Sequence, residues 1–143
     1  MKYLLDTNVF REIGKQQPHV NVRAWLDTVD DSDLAISALT VREITKGVMK
    51  LRTSKPEVAT AIEARAGTIF AAFNGRILPV DRAVAAAWGE MLAEHERHID
   101  DTALAATARV QGLVLVTRNV RHALGRGVRL LNPYKRPLES IYP

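Results

Sequence analysis

The sequence predicts an α/β fold in which a parallel central sheet of about five strands carries helices on both faces, giving three layers. Short apolar runs alternate with helical patterns along the chain, which is the order expected of parallel strands joined by helices. The chain has 143 residues, 47% of them hydrophobic and 25% charged. Because this length and composition are typical of one globular domain, we expect a single domain over residues 1–143.

Five segments have the composition of short buried strands, and polar or turn-forming residues follow each of them. They are residues 3–5, 34–36, 77–80, 112–117 and 128–131. In Rossmann-like sheets, ligands bind beyond the carboxyl ends of the strands, where the strand order reverses. This rule directs attention to the residues that follow the strands, namely Asp6-Thr7-Asn8, Ser37, Asp81 and Thr117-Arg118-Asn119.

Four helical patterns lie between these strands. Thr40 and Glu43 have the spacing of a capping box, which predicts a helix that runs to about Leu51. The other three patterns begin at Ser54-Lys55-Pro56, at Asp81 and at Asp100-Asp101, and they end near Phe73, His95 and Gly112. The chain shows no internal repeat and no linker between domains, in agreement with a single domain.

The amino-acid composition excludes several kinds of function. The chain has no cysteine, so it has no disulfide, no Cys-ligated zinc or iron–sulfur site and no thiol nucleophile. No apolar stretch approaches the roughly 18 residues of a membrane span. Asp6 interrupts the N-terminal apolar region before a signal peptide could form, so we expect a cytoplasmic protein.

The charges are distributed unevenly along the chain. Residues 1–101 hold 13 Lys and Arg against 15 Asp and Glu, whereas residues 102–143 hold 7 Lys and Arg and only Glu139 as an acid. A basic C-terminal third favours a polyanionic partner, although scattered arginines on a solvated surface would give the same count.

Three carboxylates are placed at predicted strand ends or helix starts. Asp6, Glu43 and Asp101 each have a structural explanation, because an Asp at such a position can form a turn or an N-cap and Glu43 can complete the capping box with Thr40. Taken together, three converging carboxylates would repel one another unless a divalent cation lay between them. An oxygen-only ligand set favours Mg²⁺ or Mn²⁺ over Zn²⁺.

Five segments in this order and spacing resemble the PIN domain of VapC-type toxin ribonucleases. They are Leu-Leu-Asp-Thr-Asn-Val (4–9), Ser-Ala-Leu-Thr-Val-Arg-Glu (37–43), Asp-x-x-Leu-Ala-Ala-Thr-Ala (101–108), Gly-Leu-x-Leu-Val-Thr-Arg-Asn (112–119) and Asn-Pro-Tyr (132–134). The segment Gly-Arg-Ile-Leu-Pro-Val-Asp (75–81) is similar to the FitB-like branch. The resemblance implies a metal-dependent endoribonuclease, a small protein antitoxin as partner, and a homodimer.

By position, Asp6, Glu43 and Asp101 match the three central acids of the family and would hold Mg²⁺ or Mn²⁺. Asp101 rather than Asp100 is the match, because the family's acid stands three residues before an aliphatic position, here Leu104. Thr117 matches a residue that hydrogen-bonds the acids. We expect Asn8, Asp100 and His122 to support these acids and Asn119 to be one of the catalytic residues.

The sequence departs from the family at the fourth acid. That acid falls either directly after Thr-Arg or three residues later, where this chain has Asn119 and His122. Neither residue adds negative charge, so one metal is better supported than two. Because the fourth acid is absent, a catalytically weak nucleic-acid-binding regulator remains an alternative, and a small-molecule phosphatase is a third.

Basic residues near these acids are candidate RNA contacts. Arg42, Lys46 and Lys50 are spaced for one helix face, which could equally be a solvated face. Further candidates in the basic third are Arg118, Arg121, Arg126 and Arg129. The apolar residues Val58, Ile62, Ile69 and Phe73 could form a dimer contact or part of the core.

Two motifs are set aside. Gly125-Arg126-Gly127 lacks the third glycine of a dinucleotide-binding loop and precedes a strand, so a turn is the better interpretation. His95 and His98 are three residues apart without the spacing of a zinc-binding helix, which favours a surface helix end.

Overall fold

A computed structural model describes residues 1–142 as one sheet with helices on both sides. The strands are β1 (Tyr3–Leu5), β2 (Leu34–Ser37), β3 (Ile77–Leu78), β4 (Val114–Val116), β5 (Leu130–Asn132) and β6 (Glu139–Ile141). The helices are α1 (Thr7–Ile13), α2 (Val20–Leu26), α3 (Ala38–Arg52), α4 (Pro56–Ala72), α5 (Arg82–Glu94) and α6 (Ile99–Gln111). Two short 3₁₀ turns cover Asp31–Asp33 and Val120–Ala123.

The sheet has the strand order β3-β2-β1-β4-β5-β6. All neighbouring strands are parallel except β5 and β6, which pair antiparallel. The chain builds outward from β1 through β2 to β3 and then returns to place β4 on the other side of β1. The strand order therefore reverses between β1 and β4, where a ligand site is expected in such a sheet.

Alternating strand residues enter two cores, one on each face of the sheet. Leu4, Leu115 and Leu130 pack under α5 and α6, whereas Leu5 and Leu131 pack under the helices of the other face. Because successive side chains of a strand point to opposite faces, these nearly continuous apolar runs are the signature of a sheet covered on both sides. The predicted fold class is confirmed.

The sequence did not predict three elements. α1 and α2 have only 7 residues each, too few for a helical pattern to stand out. β6 is a strand of 3 residues whose side chains are only partly buried or exposed, so it lacks an apolar run. It extends the sheet to six strands and makes it mixed, whereas the sequence predicted a parallel sheet of about five.

The predicted cap of α3 is wrong, whereas α4 begins at Pro56, within the start predicted at residues 54–56. α3 is capped by the Ser37 hydroxyl, which accepts from the Leu39 N–H, while Thr40 is buried inside the helix and lies 3.2 Å from the Thr7 hydroxyl. α4 begins at Pro56 without a side-chain cap, so Ser54 does not cap it. Asp81 caps α5 as predicted, and Gly112 ends α6 in the left-handed conformation that favours glycine.

The apolar residues that could form a dimer contact or part of the core differ in their exposure. Phe73 is part of the core, whereas Val58 is exposed. Ile62 and Ile69 line an apolar groove of about 240 Å³ beside Phe10.

None of the helices within residues 1–142 is long and apolar enough to cross a membrane.

Candidate active site at the sheet's carboxyl edge

Asp6 and Thr117 stand on the two sides of the reversal point. Asp6 follows β1 and Thr117 follows β4, and the two strands are paired in register from Tyr3 and Val114 onward. The Thr117 hydroxyl donates to Asp6 Oδ2 at 2.6 Å, so the two strand ends are joined directly across the reversal. The same hydroxyl accepts the Asn119 backbone N–H at 3.0 Å.

Asp6 is a buried carboxylate with a fixed orientation. Only 3% of its surface is exposed, and its Oδ1 accepts the Val9 N–H at 2.9 Å, which caps α1. Burial raises the pKa of Asp6 above its usual value, and the nearby charge of Asp101 raises it further. The hydrogen bonds from Thr117 and from the backbone N–H groups of Val9 and Asn8 oppose this rise.

Glu43 and Asp100 approach the cleft from two different helices and share one arginine. Arg42 Nη2 lies 2.6 Å from Asp100 Oδ2 and 3.4 Å from Glu43 Oε1. The hydrogen bond that the Arg42 guanidinium donates to Asp100 is the main reason that the pKa of Arg42 is raised. Since Glu43 lies in the second turn of α3, it is not a capping residue, and its carboxylate is available to the cleft.

Asp101 is held from the other side by a histidine. Its Oδ2 lies 2.6 Å from Nδ1 of His122, which stands in the 3₁₀ turn after β4. Asp101 lies in the first turn of α6, one of the positions where the sequence predicted a carboxylate facing the sheet edge.

These carboxylates border one small cleft of about 110 Å³. Its lining includes four acids and two arginines, together with Asn8. The acids are Asp6, Glu43, Asp100 and Asp101, and the arginines are Arg11 and Arg42. The structure thus brings the three predicted metal-binding acids to one place, and Asp81, which follows the edge strand β3, is not part of the lining.

The two candidate positions for a fourth acid differ in what they contact. His122 reaches Asp101, whereas the hydrogen bond that ties Asn119 to this region comes from its backbone N–H, which donates to Thr117. Both residues also line a second cleft of about 330 Å³ that contains Arg118, Arg121 and Lys135. We call this second cleft the basic cleft.

The other basic candidates fall into three groups. Lys46 and Lys50 are exposed on α3, in agreement with either an RNA contact or a solvated face. Arg126 is only 2% exposed, so the expectation that it contacts RNA is wrong. Arg129 precedes β5 and donates to the Gly112 carbonyl at 3.2 Å, which places it at the amino edge of the sheet, away from the acid cleft.

The chemistry of the acid cleft fits a hard divalent cation. Its acidic donors are all oxygens, and Asp6 is a carboxylate whose burial opposes ionisation. A cation held by Asp6, Asp101 and Glu43 would favour the ionised form of all three.

Comparison with known proteins agrees with this geometry. The family model described as "PIN domain" matches residues 3–125, which include all the predicted metal-binding acids and both positions of the fourth acid. The chain belongs to the PIN-domain family. The ribonucleases of this family generally depend on divalent metal ions.

Two curated PIN-domain relatives are similar over nearly their whole length. The toxin FitB of Neisseria gonorrhoeae is 35% identical over 92% of this chain and 97% of its own. A VapC ribonuclease of Sinorhizobium fredii is 30% identical over 92% of this chain and 97% of its own.

Solved structures of related proteins share the fold. A crystal structure of FitAcB from Neisseria gonorrhoeae aligns with a TM-score of 0.83 at 34% identity, covering 92% of this chain and 98% of that one. A structure of FitAB bound to a DNA fragment aligns with a TM-score of 0.80 at 34% identity, covering 93% and 96%.

Sequence reasoning missed three features of the site. Arg11 was not singled out, and the pairing of Arg42 with Asp100 was not expected. The side chain of His98 stacks on His122 with ring centroids 3.7 Å apart, although residues 95–98 were interpreted as a surface helix end. The sequence holds no signal for such contacts, because 24 residues separate the two histidines and the turn after β4 brings them together.

Proposed function

We propose that this chain is the toxin of a type II toxin–antitoxin pair and acts in the cytoplasm as a metal-dependent endoribonuclease. The observation that carries the proposal is the convergence of Asp6, Glu43 and Asp101 on one cleft at the reversal point of a PIN fold. The similarity to a named toxin and to a named VapC ribonuclease supports it.

Asp6, Asp101 and Glu43 are the residues that would hold Mg²⁺ or Mn²⁺. When bound, the ion supplies a Lewis acid for the phosphoryl group and lowers the pKa of the attacking water. Two donors, the Val9 N–H and the Thr117 hydroxyl, keep the Asp6 carboxylate in one orientation. Because the carboxylate is already oriented, it does not have to be reoriented when the substrate binds.

Glu43 also acts on the attacking water, and the basic residues act on RNA. Glu43 is about one-third exposed at the wall of the cleft, where it can orient the attacking water and accept its proton. Arg42 reduces the negative charge of the cleft through Asp100 and Glu43, so that a phosphate can approach. Arg118 and Arg121 in the basic cleft, with Lys46 and Lys50 on α3, would hold neighbouring phosphates.

The partners follow from the relatives. FitAcB and FitAB are the complexes named in the similar structures, and we extend that assembly to this chain as a small antitoxin protein and a homodimer of the toxin. Expression of the chain should therefore arrest growth, and coexpression of the cognate antitoxin or the substitution Asp101→Ala should relieve the arrest.

The direct test is cleavage of a structured RNA by the purified protein. We expect cleavage with MgCl₂ or MnCl₂, none with EDTA, and a loss of at least about 100-fold for Asp6→Asn, because Asn removes the negative charge and keeps the size of the side chain. The matched control is Asp81→Asn, which makes the same change at another N-cap that accepts the backbone N–H three residues on.

Two results would contradict the mechanism. Cleavage that persists in EDTA would exclude a metal-dependent reaction at these acids. Tight RNA or DNA binding without cleavage, even in MnCl₂, would favour a catalytically weak regulator, an alternative motivated by Asn119 and His122 at the positions of the fourth acid.

A further inference from the structure

Two histidines and one carboxylate meet beside the acid cleft. His98 directly precedes α6, Asp101 lies in the first turn of that helix, and His122 stands in the 3₁₀ turn after β4. One potential ligand atom from each residue lies within 4.8 Å of the other two. The nuclease mechanism proposed above uses only Asp101 from this group.

The His122 side chain contacts both of the other two. His122 Nδ1 lies 2.6 Å from Asp101 Oδ2, and the His122 ring stacks on His98 with an angle of 7° between the ring planes. Imidazole binds metal ions through a ring nitrogen that carries no proton, and each of the two rings has two nitrogens that could serve as the ligand.

The donor set differs in chemistry from the acid cleft. Two imidazole nitrogens and one carboxylate oxygen form a softer site than carboxylates alone, and such a set favours transition metals over Mg²⁺. Three protein ligands leave one coordination position of a tetrahedral ion open to water or substrate. His98 is exposed and His122 is 34% exposed at its side chain, so both rings have room to rotate and direct a nitrogen at a common ion.

We propose that His98, Asp101 and His122 form a binding site for a divalent transition metal such as Zn²⁺. The site adjoins the acid cleft and shares Asp101 with it. His98 precedes α6 and Asp101 lies in its first turn, so both come from the start of this helix, and the turn after β4 supplies the third ligand. The proposal does not depend on RNA cleavage, because metal binding is measured on the protein alone.

The test is a calorimetric titration of the metal-stripped protein with ZnCl₂. We expect binding to the unsubstituted chain and an affinity lower by at least about 10-fold in both His98→Gly and His122→Ala. Glycine is chosen at residue 98 because the backbone there has a φ of +48°, which glycine adopts without strain. Binding of MgCl₂ should change much less than binding of ZnCl₂ in His98→Gly.

The matched control is His19→Asn. His19 caps α2 through its Nδ1, and Asn is also a good N-cap, so this variant removes an imidazole and keeps the helix start. Its affinity for Zn²⁺ should equal that of the unsubstituted chain. Equal affinity in all three variants, or no Zn²⁺ binding to the unsubstituted chain, would overturn the proposal.

A second measurement does not depend on the folding of any variant. In NMR spectra of the unsubstituted protein, added ZnCl₂ should shift the ring resonances of His98 and His122 and leave those of His19 and His95 unchanged. Shifts confined to His19 and His95 would place the metal elsewhere and overturn the proposal.

Discussion

Asp6 is nearly fully buried, and its carboxylate accepts hydrogen bonds from the Val9 N–H and the Thr117 hydroxyl. Burial favours the protonated carboxyl, whereas the Thr117 hydroxyl and the Val9 N–H favour the ionised form. The balance leaves the pKa of Asp6 raised. A cation in the cleft would shift that balance toward the carboxylate.

This raised pKa predicts how stability changes with pH in the absence of metal. A carboxyl whose pKa is higher in the folded than in the unfolded state favours folding at low pH, and that contribution is lost as the pH rises through the folded value. In EDTA at pH 8, Asp6→Asn should therefore raise the Tm. The gain should shrink toward pH 4.

Thermal unfolding followed by circular dichroism measures this effect. MgCl₂ should raise the Tm of the unsubstituted chain more than that of Asp6→Asn, because an ion bound only to the folded state stabilises it. Asp81→Asn, a cap at an exposed position, should show no gain that depends on pH. A Tm of Asp6→Asn at or below that of the unsubstituted chain at pH 8 would show that the hydrogen bonds outweigh the burial.

Among the elements, the junction between α5 and α6 decides where Asp101 lies. Arg126 is buried there and donates to the carbonyls of Met91 and His95 at the end of α5 and to the Thr102 hydroxyl in α6. The Thr102 hydroxyl in turn donates to the Arg97 carbonyl at 3.0 Å. Arg126 is therefore a positioning residue, since it fixes the loop that leads into the first turn of α6.

Replacing Arg126 should destabilise the protein. Arg126→Met fills part of the volume but leaves the carbonyls at the end of α5 without donors, which we expect to cost about 3 kcal/mol. For a domain of this size the Tm should fall by about 10 °C. Arg129→Met is the control, because Arg129 is exposed and makes a single hydrogen bond to the Gly112 carbonyl.

Chemical denaturation with urea gives the free energy of unfolding for both variants. A loss of less than about 1 kcal/mol in Arg126→Met would mean that water replaces the arginine, and the α5–α6 junction would then not depend on this side chain.

The elements also show where helix signals in the sequence were ambiguous. The segment from Ser37 to Glu43 offers two hydroxyls that could cap α3, and the capping-box spacing favours Thr40. In the structure β2 ends at Ser37 and the chain turns at once into α3, so Ser37 is the cap and Thr40 is buried against Thr7. This start one turn earlier leaves Glu43 free of capping.

On the scale of the whole molecule, the carboxyl and amino edges of the sheet carry different charged residues. The carboxyl edge holds the acid cleft and, beside it, the basic cleft with Arg118 and Arg121. Arg129 and Gly112 precede β5 and β4 at the amino edge. The basic C-terminal third of the sequence is therefore divided in space, and only part of its charge lies near the acids.

This division predicts which arginines hold RNA. Arg118→Ala combined with Arg121→Ala should weaken RNA binding and reduce the slope of log Kd against log salt concentration by about 1.4, because each lost phosphate contact on a single strand removes about 0.7. Fluorescence anisotropy over a series of KCl concentrations, with CaCl₂ in place of MgCl₂, measures the slope.

Arg129→Ala is the control for this experiment, since it removes the same charge from the opposite edge of the sheet. Its slope should stay within about 0.3 of that of the unsubstituted chain. If Arg129→Ala lowers the slope as much as the double variant does, the RNA follows a path that the basic cleft does not define.

The sequence by itself determined the fold class and the three acids at the sheet edge. The apolar runs of the strands, the cap Asp81 at the start of α5 and Gly112 at the end of α6 are all signals that lie within a few residues of the element they mark. Parallel strands then bring their carboxyl ends to one edge of the sheet by topology alone. Only the tertiary structure decided that Arg126 is buried, that Arg42 pairs with Asp100, and that His98 reaches His122. These contacts join segments from 24 to 58 residues apart, and their partners are set by how the helices and loops pack, which no local pattern in the sequence encodes.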